Sequence, residues 1–66
     1  MRVVINGQEQ ELPADTTVAA LVARYDLRPE HVAVEVNCNL VPRRSFDSTC
    51  LADGDRVEVV TLVGGG

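Results

Sequence analysis

The chain's last four residues, Val63-Gly64-Gly65-Gly66, follow directly on a strand-like run, Arg56-Val57-Glu58-Val59-Val60-Thr61 and Leu62. Glycine accepts nearly any φ/ψ and has no Cβ, so consecutive glycines can enter a channel too narrow for other residues. Gly66 then offers an α-carboxylate on a slim tether reaching roughly 17 Å beyond Thr61. Such a group suits a protein whose C-terminus is itself the reacting atom set, activated by a partner. The same composition also describes a frayed end or a leftover linker, so the rest of the chain must decide.

Nothing else in the sequence resembles catalytic machinery. There is no Ser/His/Asp cluster, no metal-ligand set and no phosphate-cradling GxxxxGK[ST] loop. Cys38 and Cys50 have eleven residues between them, neither a CxxC pair nor a zinc spacing, and His31 is the lone histidine. Both cysteines read as small packed or half-exposed thiols. All six basic residues are arginine (Arg2, Arg24, Arg28, Arg43, Arg44, Arg56), so no lysine ε-amine is available to accept an isopeptide bond.

Size and charge narrow the classes further. With 66 residues there is room for one small domain and little for a deep cleft. A net charge of -4 argues against nucleic acid, which rewards basic faces. No apolar run approaches the ~20 residues that span a bilayer, and the N-terminus lacks a signal peptide's apolar core. The expectation is a cytoplasmic protein, monomeric when free.

These residues need a frame to hold them. Met1 to Ile5 reads as a strand with Met1, Val3 and Ile5 on one face. Asn6-Gly7 is the strongest short hairpin signal, since both central positions of a type I′ turn need positive φ. Gln8 to Leu12 returns as a polar edge strand. After Pro13, Asp15 or Thr16 can cap a helix of roughly Thr17 to Tyr25, whose stripe is Val18, Leu21, Val22 and Tyr25. Val32, Val34 and Val36 alternate in a third strand, Asn37-Cys38-Asn39 turns, and Leu40-Val41-Pro42 is short and extended. Arg43 to Thr49 reads as irregular, with Phe46 pinned on the core. Asp53-Gly54-Asp55 makes the final turn into Arg56 to Thr61, with Val57 and Val59 inward.

A hairpin, one helix and further strands predict an α+β fold: a mixed sheet of 4–5 strands packed on one main helix, the β-grasp or ubiquitin-like architecture. The first and last strands are expected to lie parallel and adjacent at its centre. The domain would occupy residues 1–62, with residues 63–66 as a flexible tail. Strand alternation then turns Val60 and Leu62 to the face away from the helix. If the loop Arg43 to Leu51 covers that face, Val60 is instead a second core residue.

Taken together, Asn6-Gly7, the helix from Thr17, Val32-Ala33-Val34-Glu35-Val36-Asn37, Val41-Pro42-Arg43, Asp53-Gly54-Asp55 and Val63-Gly64-Gly65-Gly66 resemble the ThiS family. These are the sulfur-carrier proteins of thiamine (thiazole) biosynthesis. The resemblance runs the whole length of the chain; each piece is weak alone, and their joint spacing is specific. It implies that a ThiF-like adenylyltransferase, using ATP and Mg²⁺, activates the carboxylate of Gly66. A sulfur donor, such as a cysteine desulfurase or a persulfide, then converts it to a thiocarboxylate. The sulfur passes to a ThiG-like thiazole synthase. On this reading the chain is not an enzyme and binds no cofactor of its own. Gly64, Gly65 and Gly66 thread into partner active sites, and Val60, Leu62, Val63 and Arg43 belong to the partner-binding surface. Two alternatives stay open: a carrier for another pathway, like the small subunit of molybdopterin synthase, or a non-reactive ubiquitin-like binding module.

Overall fold

The computed structural model describes residues 1–62; the expected tail, Val63 with Gly64, Gly65 and Gly66, lies outside the described residues. Strand β1 (Arg2–Ile5) turns through Asn6 and Gly7, at φ 50° and 83°, into β2 (Gln8–Glu11). Both central residues are thus left-handed, as a type I′ turn requires. Helix α1 (Val18–Arg24) follows, then β3 (Val32–Val36), β4 (Asn39–Val41) and β5 (Arg56–Thr61), with single 3-10 turns at Pro29–His31 and Arg43–Ser45.

The strands form one sheet in the order β2-β1-β5-β3-β4. β5 is central and runs parallel to β1, with Ile5 opposite Val57, and antiparallel to β3, with Val34 opposite Val59. The charged β2 is an edge, where Glu9 and Glu11 discourage pairing with other molecules. Together these features make the expected β-grasp fold.

One face of the sheet carries the core. Val3, Ile5, Val32, Val34 and Val57 meet Val18, Leu21 and Val22 of α1, with Leu12, Phe46 and Leu51 closing the sides. At about 1.5–3 kcal/mol for each fully buried side chain, this cluster dominates stability. A helix of seven residues is marginal by itself, so α1 depends on this packing.

Local details depart from the sequence expectation in three places. The cap of α1 is Thr17, not Asp15 or Thr16: its hydroxyl accepts from the Ala20 N–H at 3.1 Å, while the Thr16 hydroxyl donates to the Pro13 carbonyl and Asp15 sits at φ 66°. Tyr25 is the C-cap residue and is exposed, its hydroxyl accepting from Gln10 Nε2 at 2.8 Å, so the buried stripe ends at Val22. Cys38 and Cys50 are both free and exposed rather than packed.

Candidate functional site

Cross-strand partners share a face, so the register sorts every side chain of the sheet. Val34, Val57 and Val59 belong to the helix side, whereas Val60 pairs with Ala33, Glu58 with Glu35, and Glu35 with Leu40 on the other side. Among the described residues, no helix covers that second face. The loop Arg43 to Leu51 packs toward the helix instead: Phe46 and Thr49 carbonyls accept from the Ala19 and Val18 N–H groups, and Leu51 N–H donates to the Thr16 carbonyl. Val60 is therefore outward, at 56% exposure, and the reading of it as a second core residue fails.

Leu62 lies just past the last strand position, 52% exposed, its N–H donating to the His31 carbonyl at 2.7 Å and so prolonging the β3–β5 ladder by one step. It shares the open face with Val60. Leu40, on the edge strand β4 and left unassigned by the sequence, is 66% exposed on the same face two strands away, with Glu35 between it and β5. Its signal was available: with Val41 inward, its neighbour in a strand must point outward. Val4, Glu35, Arg56, Glu58 and Val60 line a shallow groove across the same face.

Arg43 is exposed, at the first position of the turn after β4. The register β4–β3–β5 sets it at the sheet edge two strands away from β5, so it borders the patch rather than joining Val60 and Leu62. Val63, Gly64, Gly65 and Gly66 lie beyond the described residues. Asp53 and Asp55 hold backbone: Asp53 Oδ1 accepts from the Arg2 N–H at 2.7 Å and Asp55 Oδ2 from the Ala52 N–H at 2.8 Å. Among the described residues there is no grouping of three or more His, Cys, Asp or Glu able to hold a metal ion, and no helix long and apolar enough to cross a membrane.

A small mixed sheet on one helix, its last strand central and its other face open beside the point where that strand exits, defines a β-grasp domain of the ubiquitin-like class. The family model named for ThiS matches residues 3–66, and the chain belongs to the ThiS family. The sulfur carrier protein ThiS of Bacillus subtilis is 35% identical over 63 residues, covering 94% of this chain and 96% of the relative. A crystal structure of the thiamine biosynthesis protein ThiS from Geobacter metallireducens superposes with a TM-score of 0.84 at 32% identity, each chain covered in full. A thiazole synthase of Paramagnetospirillum magneticum is 41% identical over 66 residues, all of this chain but only 20% of the relative. The chain thus spans about a fifth of the length of the thiazole synthases it matches.

Proposed function

We propose that this chain is a sulfur carrier for thiazole formation in thiamine biosynthesis, with the carboxylate of Gly66 as the group that is modified. The observation that carries the reading is that β5 exits at Leu62 beside the exposed aliphatic side chains of Val60 and Leu62, and that the sequence then continues into three glycines. The names of the full-length relatives support it.

A carboxylate is a poor acyl donor at neutral pH because it has no competent leaving group. On this reading an oxygen of Gly66 attacks the α-phosphate of ATP, held with Mg²⁺ by a ThiF-like enzyme, and displaces pyrophosphate. A persulfide on the sulfur donor then displaces AMP from the acyl adenylate to form an acyl disulfide, and a second thiol attacks the donor-side sulfur, releasing the thiocarboxylate and leaving a disulfide on the donor. The chain's own share is a terminus and a docking face, with Val60 and Leu62 at its centre and Leu40 and Arg43 toward its edge. Thiazole synthase is the proposed recipient. Thiazole synthases that contain a stretch similar to this chain support the pairing, since two functions joined in one polypeptide act in proximity.

The test is intact-mass measurement after incubation with a ThiF-like enzyme, ATP, Mg²⁺ and a sulfur source. Exchange of one Gly66 oxygen for sulfur is expected. It should persist in the Cys38→Ser/Cys50→Ser double variant and vanish when residues are appended after Gly66, because the carboxylate is then an amide. An unchanged mass with an enzyme that is active on another carrier would overturn the proposal.

A further inference from the structure

β5 outruns its parallel neighbour. β1 pairs with it only as far as Val57, where the Asn6 N–H donates to the Val57 carbonyl at 2.9 Å, and then turns away into β2. Since the Leu62 N–H bonds to the β3 side, alternation turns the N–H and carbonyl of Val59 and Thr61 to the β1 side. Val59 would therefore face an empty ladder position. The carboxamide of Asn6 fills it: the Val59 N–H donates to Oδ1 at 2.8 Å, and Nδ2 donates to the Val59 carbonyl at 3.1 Å. One side chain thus does what the next residue of β1 would have done. It is the last hold on that side of β5 among the described residues, three positions before Leu62.

Resting on the carrier reading above, we propose that Asn6 is a positioning residue for the tail: its carboxamide sets the place and direction in which β5 hands residues 63–66 to the activating enzyme. Its role in the hairpin turn is separable, because the turn needs only positive φ at position 6, which glycine supplies more easily. Asn37 provides the matched control. It grips the opposite end of β5, with the Arg56 N–H donating to its Oδ1 at 3.0 Å and its Nδ2 donating to Asp55 Oδ1 at 3.0 Å, also from a positive-φ turn position. Loosening the entry of the strand should cost stability without disturbing its exit.

Asn6→Gly, Asn6→Asp and Asn37→Gly in the full chain test this, read by site-resolved amide exchange and by steady-state adenylation with a ThiF-like enzyme. Asn6→Gly should speed exchange at Val59 on the order of tenfold relative to Val3 and Leu21, since that N–H loses its acceptor. The KM for the carrier should rise about fivefold with kcat nearly unchanged, because the enzyme holds the tail once it is bound. Asn6→Asp retains the acceptor for the Val59 N–H but sets an oxygen against the Val59 carbonyl, so both effects should be intermediate. Asn37→Gly should lower Tm and leave KM alone. Wild-type exchange at Val59 in Asn6→Gly, or an equal rise in KM in Asn37→Gly, would overturn the proposal. If no variant and no wild-type chain is adenylated, the carrier reading is what fails, and the exchange comparison still decides whether Asn6 holds the strand.

Discussion

Cys38 holds φ at 70° as the second central residue of the two-residue turn closing β3 on β4, after Asn37 at 52°. A left-handed conformation costs a residue with a Cβ roughly 1–2 kcal/mol, and glycine returns about 0.5–1 kcal/mol of that through its freer unfolded state. Cys38→Gly should therefore stabilise the domain by about 0.5–1 kcal/mol, seen as a higher urea midpoint at unchanged m value. No gain would mean that this turn relieves its strain elsewhere. The contrast with Asn6-Gly7 shows what sequence can reveal at this scale. Asparagine marked both turns, but the glycine that makes a type I′ turn explicit is present in only one. The helix cap was similarly hidden, since Asp15, Thr16 and Thr17 are all capable residues in a row. Only backbone geometry (Thr17 at φ -87°, ψ 165°) selects among them.

Among the elements, α1 and the open sheet face make opposite demands. Thr17→Ala removes the only side-chain cap of a seven-residue helix and should cost about 1 kcal/mol, measured by thermal or urea unfolding. Val60→Asp should leave the unfolding midpoint close to wild type, because the side chain is already in water on the uncovered face. Binding to the activating enzyme is where it should tell: a carboxylate desolvated in an aliphatic contact costs several kcal/mol unless it is paired, enough for a thousandfold loss of affinity. Unimpaired binding of a folded Val60→Asp protein would place the interface elsewhere. Alternation alone made Val60 and Leu62 legible as outward residues. That the face stays open was not legible, because periodicity cannot say which side of a sheet an irregular segment such as Arg43 to Leu51 will take.

For the molecule as a whole, the margin is thin. A core of this size seldom supplies more than about 3–5 kcal/mol of net stability. Leu21 is fully buried at the centre of the α1 stripe, and Leu21→Ala should remove about 2–5 kcal/mol. That is comparable to the entire margin, so the variant should show a far-UV spectrum of a largely unfolded chain at room temperature. A cooperative, near-native melt would mean that the core collapses around the gap or is more stable than its size suggests. The parallel pairing of the first and last strands was legible because Arg56 to Thr61 has no hairpin partner nearby and must find β1 across the length of the chain, whereas the β3 pairing on its other side was not read from the sequence.

That central place for the last strand also bears on how the protein comes into being on the ribosome. Within the sheet, the β1–β2 hairpin and the β3–β4 hairpin touch only through β5. Until residues 56–61 have been synthesised and released, the nascent chain holds two small ribbons and a short amphipathic helix with no shared sheet, and an isolated hairpin is barely stable in water. Folding of this domain must therefore wait for β5, and it rests on pairings between residues far apart in sequence, such as Val4 with Arg56. A premature stop before β5 should yield a chain that proteases clear rather than a half-working domain. A binding partner that recognises the folded sheet is thereby prevented from engaging any chain whose β5 is missing.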